Sequence, residues 1–303
     1  MSEIKLFRID GQNVSEVPSS VVGLEKSLQT VIENNLETIL GVRFLSSEHS
    51  TGRTHGGRID TLGIDENGCP VILEYKRATN ENVINQGLFY LDWLLDHKAD
   101  FRLLVARQLG EKEAAEIDWT SPRLICIAAD FTRYDEHAVK QISRNIDLVR
   151  YRLFGKDMLA LELVNRASSD EPASGGEAGK AKPKAVSDKS PNLWLNEKQW
   201  PMRDLFETLR HTLLAQGDDV QEKMLKLYVA YRRIKNFASI VAQKKRLLLY
   251  LKLDPDTVQL ERGFISDVRN TGHWGTGHVE VALAEPGQLR KIEPLIVRAY
   301  QES

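Results

Sequence analysis

Cysteine is nearly absent from this chain of 303 residues, with Cys69 and Cys126 the only two. Two thiols are too few for a disulfide framework or a structural zinc site, so a reducing, cytoplasmic setting is expected. No stretch approaches about 18 consecutive apolar residues, and the N-terminus lacks the apolar core of an export signal, so neither a membrane span nor secretion is expected. Net charge is scarce as well. The 41 Lys and Arg nearly cancel 43 Asp and Glu, leaving a formal charge of -2. No global positive field therefore announces a polyanion, and attraction to phosphate must come from a local patch. Nucleotide-cofactor motifs are missing too. Gly272-His-Trp-Gly-Thr-Gly277-His278 has freed backbone amides and two histidines, but it lacks the Gly-Lys-Ser/Thr ending of a phosphate loop and any acid or cysteine at ligand spacing. A turn entering a strand at Val279 is the expectation. With no dinucleotide fingerprint, neither ATP dependence nor a redox cofactor is expected.

What the chain does have is enough apolar material for two cores. Hydrophobic residues make up 42% of it, and its length argues for two domains. Residues 166–191 are rich in Ala, Gly, Ser, Pro and Lys and read as a flexible linker, which places one domain over 1–165 and a smaller one over 192–303. Apolar spacing predicts a helix over 21–40, with Ser19 and Ser20 as caps and Gly41 as its stop. Strands are expected over 57–64 and 70–75, then helices over 80–96 and 99–109. A strand over 124–129, a helix over 137–144 and two strands over 147–154 and 158–164 follow. Behind the linker, a helix over 205–215 precedes strands over 225–231, 238–242 and 246–253. A helix around 264–268, a strand over 278–283 and a closing helix over 288–300 complete the chain. The order is α/β in the first domain and α+β in the second.

Chemistry is concentrated in GRIDTLGIDENGCPVILEYKR. Asp65-Glu-Asn-Gly68 carries hairpin-turn chemistry, and pairing across it sets Asp60 near Glu74. Alternation puts Glu74 and Lys76 on one face and Tyr75 on the other. Two carboxylates and an ammonium converging on one spot are expensive to hold unless a cation sits between the acids, and Mg²⁺ prefers hard oxygen ligands with several retained waters. Glu and Lys alternating on a half-exposed edge strand are also ordinary sheet chemistry. Downstream, Gln86 and Tyr90 are four residues apart on one helix face, so their polar tips can press toward the strand-borne acids.

With Gly57-Arg58-Ile59-Asp60, Glu74-Tyr75-Lys76 and the Gln-x-x-x-Tyr helix, roughly residues 20–110 resemble the PD-(D/E)XK nuclease superfamily, in particular its NucS-like branch. Ile59 stands where the familiar proline would precede the first acid. The resemblance implies a restriction-endonuclease-like mixed sheet flanked by helices and a metal-dependent deoxyribonuclease. Mg²⁺ or Mn²⁺ would be held by Asp60, Glu74, the Tyr75 carbonyl and a helical glutamate, Glu25 by position or Glu33 in its place. Lys76 would orient a water, Gln86 and Tyr90 would fix the lysine and the backbone, and Arg58 and Arg77 are candidates for phosphate contact. DNA is the implied partner, with branched, single-stranded and modified forms all open, and pairing into a homodimer is compatible with such enzymes. Repair and defence against foreign DNA both fit.

Behind the linker, the chain resembles a small domain of uncharacterised function found fused to such nucleases. Lys235, Lys244, Lys245, Arg246 and Arg269 lie near Phe237, Tyr250 and Trp274 in sequence, a pattern that can hold nucleic acid by phosphate contact and stacking or can simply protect a sheet edge. His49 and His55 flank the first acid's strand, as phosphate contacts or as plain loop residues. A nuclease fold that binds DNA without cutting it, and an adaptor or regulator, remain open beside the enzyme.

Overall fold

The computed structural model describes residues 4–20, 25–76, 83–167, 194–195, 197 and 200–303, and of Glu25, Arg53, Thr54, Arg166 and Ala167 only the backbone. Two compact units divide the chain, Met1–Ala173 and Ser174–Ser303. Among the described residues, no helix is long and apolar enough to cross a membrane.

In the first unit, β1 (Leu6–Asp10) and β2 (Asn13–Val17) turn at Asp10-Gly11 and pair with each other as a ribbon. Residues 21–24, where the helix that Ser19 and Ser20 would cap was expected to begin, lie outside the described residues. Ser19 and Ser20 form β3 and pair with Phe154 and Leu153. The single helix expected over 21–40 is two, α1 (Glu25–Asn34) and α2 (Leu36–Leu40), broken at Asn35, whose side-chain amide donates to the Val31 carbonyl. Gly41 closes α2 with φ 65°, a left-handed conformation that glycine adopts without a Cβ clash. A strand absent from the sequence reading follows, β4 (Val42–Ser50), and a short α3 (Gly52–His55) leads into β5 (Arg58–Asp65) and β6 (Pro70–Lys76). Next come α4 (Val83–Asp96), α5 (Lys98–Leu109), α6 (Glu111–Ala115), β7 (Arg123–Ala128), α7 (Arg133–Lys140), β8 (Asn145–Phe154) and β9 (Met158–Ala167). The sheet carries on to Ala167, inside the segment read as the start of the linker. Residues 168–191 of that segment lie outside the described residues.

The sheet order is β3-β8-β7-β6-β5-β4, with β9 on β8. Strands β4, β5 and β6 run antiparallel, whereas β6, β7 and β8 are parallel. Parallel neighbours require crossovers, and α4 to α6 supply the first and α7 the second. Helix α4 packs on β6 and β7, while α1 packs on β5 and β6. This mixed α/β architecture is consistent with a restriction-endonuclease-like fold. It also decides a question the sequence left open, because β6 is an interior strand and Glu74 is fully buried. The carboxylate does not decorate a solvated edge.

A fully buried ion pair joins two strands of the sheet. Arg123 Nε on β7 donates to Asp147 Oδ2 on β8 at 2.5 Å, with both side chains out of solvent. Removing one partner strands a buried charge, so Asp147→Ala is expected to lower unfolding stability by about 3–5 kcal/mol in chemical denaturation.

The second unit comprises α8 (Arg203–Leu214), β10 (Gln221–Met224), β11 (Val229–Arg232), β12 (Asn236–Ala242), β13 (Leu247–Leu251), β14 (Ile265–Asp267), β15 (Val279–Leu283) and α9 (Leu289–Gln301). Its antiparallel sheet, β10-β11-β12-β13-β15-β14, buries Val229, Ile240, Leu249 and Val281 with Leu209 and Ile296 of the two helices. This is the smaller α+β unit expected, with two corrections. Leu225–Tyr228 is a hairpin turn between β10 and β11, closed by the Leu225 N–H on the Tyr228 carbonyl. Residues 264–268 hold a strand rather than a helix, because Ile265 pairs with Val281. Five residues are too few for a helix to hold without tertiary support.

Candidate active site

The β5–β6 hairpin is closed by Asp65, whose Oδ1 accepts the N–H groups of Asn67 and Cys69 at 2.9 Å each. Its register runs from Ile64↔Pro70 to Thr61↔Leu73. One position beyond the last ladder pair, side chains take over. The Asp60 N–H donates to Glu74 Oε1 at 3.2 Å, and the Tyr75 N–H donates to Asp60 Oδ2 at 3.0 Å. Each carboxylate thus braces the strand that carries the other. Gln29 of α1 fixes the same point by donating to the Asp60 carbonyl at 2.8 Å.

This brace has an electrostatic cost. Burial, then the neighbouring Asp60 charge, push Glu74 up to about 9. Asp60 is raised as well, by burial first, against the Tyr75 N–H and the Lys76 ammonium, which favour its ionised form. Glu74 Oε2 is buried with no hydrogen-bond partner. A buried acceptor normally has one, and an oxygen so placed beside a second carboxylate is of the kind that a hard cation takes as ligand. Among the described residues, no group of three His, Cys, Asp or Glu side chains could hold a metal on its own. Two carboxylates with retained waters still match what Mg²⁺ asks of a protein.

Helix α4 reaches the start of β5. Gln86 Nε2 donates to the Tyr90 hydroxyl at 3.2 Å, and that hydroxyl accepts the Arg58 N–H at 3.2 Å. The pair therefore grips the backbone two residues before Asp60. Gly57 makes the approach possible, since a Cβ there would lie 2.7 Å from Tyr90 Cε1 and 2.8 Å from its hydroxyl oxygen. Gly57→Ala is expected to push Tyr90 off the Arg58 amide and to cost about tenfold or more in any activity of this site, through misplacement alone. A crystal structure of the variant would show the displaced ring.

A cleft of about 640 Å³ opens over these groups, lined by Glu48, Ser50, Arg58, Asp60, Gln86 and Tyr90. Glu48 is the residue that sequence reasoning missed. The pairs Ser47↔Thr61 and His49↔Ile59 set it opposite Asp60, and its charge helps to raise the Asp60 carboxyl. It sits at φ 51°, left-handed for a non-glycine, and its carboxylate meets Arg58 Nε at 3.3 Å and Lys26 Nζ at 3.7 Å.

Other expected site residues fall elsewhere. Glu25 opens α1, but its side chain lies outside the described residues, as does all of Arg77. Glu33 accepts from Thr61 Oγ1 at 2.6 Å and from Gln29 at 3.0 Å, beside the Tyr75 hydroxyl. His49 and His55 line a separate cleft of about 570 Å³ with Trp93, His97 and Asp100, where burial holds the His49 imidazole below its ordinary value. In the second unit, Lys244, Lys245 and Arg246 are exposed on the β12–β13 turn, with Arg246 Nε on Gln243 Oε1 at 2.8 Å. Phe237 is in the core, Tyr250 stacks on His273, and Arg269 is held by Asp256 and Asp267, so Trp274 is the exposed aromatic of the three. The glycine-rich segment does enter β15, with both His273 ring nitrogens near backbone carbonyls of Thr271 and Gly277.

Residues 193–303 match a family model described as a domain of unknown function, DUF5655. An uncharacterized protein of Haemophilus influenzae (strain ATCC 51907 / DSM 11121 / KW20 / Rd) is 28% identical over 309 residues, covering 99% of this chain and 100% of the relative. Among solved structures, a repair endonuclease from Pyrococcus abyssi is similar at 20% identity and a TM-score of 0.29, over 43% of this chain and 48% of that one. EndoMS in a complex with double-stranded DNA is similar at 19% identity and a TM-score of 0.26, over 47% and 49%. This chain spans about half the length of those two structures.

Proposed function

We propose that this protein is a metal-dependent endonuclease that hydrolyses DNA phosphodiester bonds, in repair or in defence against foreign DNA. The observation that carries the proposal is the reciprocal brace of Asp60 and Glu74, with the Glu74 Oε2 left without a partner at full burial. Asp60, Glu74 and the Tyr75 carbonyl would hold Mg²⁺ or Mn²⁺. When bound, the ion supplies a water of lowered pKa and offsets charge building on the phosphoryl oxygens. Lys76 acts on both carboxylates through its charge and orients the attacking water. The water oxygen forms a bond to phosphorus while the ester bond to one sugar oxygen breaks, the water gives up a proton to solvent, and the leaving sugar oxygen takes one from solvent to become a hydroxyl. Gln86 and Tyr90 hold the Arg58 backbone and so fix Asp60. DNA as the polymer rests on the likeness of the Asp60, Glu74-x-Lys76 and Gln86-x-x-x-Tyr90 set to nucleases. The test is cleavage of single-stranded, branched and duplex DNA with Mn²⁺ or with chelator. Binding that is indifferent to chelator, without cutting of any substrate, would instead mark a silent DNA-binding protein or adaptor.

A further inference from the structure

We propose that Glu48 occupies, in the free protein, an anion subsite that Arg58 and Lys26 offer to a backbone phosphate, and that docking of a nucleic acid displaces it. The inference rests on the phosphodiester reading above. Arg58 and Lys26 come from different elements, the first residue of β5 and the first turn of α1, yet their cationic groups meet at one carboxylate. Glu48 receives Arg58 on Oε2 and Lys26 on Oε1, as two oxygens of a phosphate would. The place is right for a substrate. Glu48 faces Asp60 across the β4–β5 ladder and lines the same cleft.

The arrangement is also easy to undo. Side-chain exposure is 68% for Arg58 and 76% for Lys26, and ion pairs that wet contribute little, so exchanging a carboxylate for a phosphate loses almost nothing. Glu48 itself is held in a backbone conformation that side chains rarely adopt, which keeps its carboxylate at the mouth of the cleft at a standing cost. Such an intramolecular occupant lowers affinity for every polyanion by the fraction of time it is in place. It therefore filters out weak, single-phosphate ligands in favour of polymers that bring further contacts.

The experiment is fluorescence anisotropy with a labelled single-stranded oligonucleotide in chelator, using wild type, Glu48→Gln and Glu48→Gly, and a neutral methylphosphonate oligonucleotide as control. Glycine suits the left-handed backbone, so a folding defect confined to the glutamine variant does not decide the outcome. Both variants are expected to bind about fivefold more tightly than wild type, with a steeper salt dependence by roughly one phosphate contact. The neutral oligonucleotide shows no gain. In an Arg58→Ala background, the gain from Glu48→Gln disappears. Binding no tighter than wild type in both variants, including no binding at all, or a gain that survives Arg58→Ala intact, overturns the inference. Because chelator is present throughout, the result does not depend on cutting. Tighter binding without cleavage of any DNA ends the hydrolase reading and leaves the subsite, whereas Mn²⁺-dependent cleavage with no gain in either variant does the reverse.

Discussion

Glu74→Gln and Asp60→Asn each cut DNA about 10³-fold more slowly than wild type in single-turnover reactions with Mn²⁺, because loss of a few kcal/mol of metal-borne charge stabilisation corresponds to that factor. The amide variants are chosen for what they keep. A glutamine at 74 can still accept the Asp60 N–H, and an asparagine at 60 can still accept the Tyr75 N–H, so the hairpin brace survives. What they lose is the negative charge. DNA affinity in chelator should therefore stay within about twofold of wild type, since truncating a ligand to the ion disables chemistry rather than docking. Lys76→Ala should fall by about 10² in rate, the scale of one positioned proton-handling or charged group. Full activity in the two carboxylate variants would remove the proposed mechanism altogether.

The second large effect is a dependence on pH that disappears when metal is saturating. Without metal, Glu74 in the folded protein holds its proton to about 9, against an ordinary value of 4.5 in the unfolded chain. The native state then binds one proton more than the unfolded state across that window, so stability falls as pH rises through it, by at most about 1.4 kcal/mol per pH unit. Glu74→Gln has no such proton and should lose this slope, melting higher than wild type at alkaline pH. Mn²⁺ must expel the proton to bind. Its affinity for the wild type should rise by up to about tenfold per pH unit below 9, and saturating Mn²⁺ should flatten the stability curve. Melting curves at several pH values, with and without Mn²⁺, read both effects. A wild type whose melting temperature follows the same pH course as Glu74→Gln would show that the carboxyl titrates normally.

The sequence made the β5–β6 hairpin and its acids legible because three local signals agree there. Asn67-Gly68 sets the turn, apolar residues fill Pro70–Leu73, and alternation separates Glu74 from Tyr75. Gln86 and Tyr90 were legible as a helix-face pair, although the distance from one helix turn to one backbone amide, and the need for Gly57 beneath it, are tertiary facts. Strand β4 was not legible. Its burial has no period of two, since a register shift between Phe44 and Ser46 resets which face each residue shows. Glu48 was hidden with it, and nothing in VRFLSSEHS announces a left-handed glutamate. The helix expected over 21–40 failed at Asn35, where a side-chain amide competes for the Val31 carbonyl. Strand β14 was misread because three residues carry no period at all, and only pairing with β15 decides their conformation.

Isothermal titration of Mn²⁺ into the wild-type chain at pH 8, beside Glu74→Gln and Asp60→Asn, addresses the central claim most directly. Binding by the wild type with release of a proton, seen as a heat that varies with the buffer's ionisation enthalpy, is the expected result, with no binding by either variant. Equal heats in all three proteins, or none in the wild type, would contradict it.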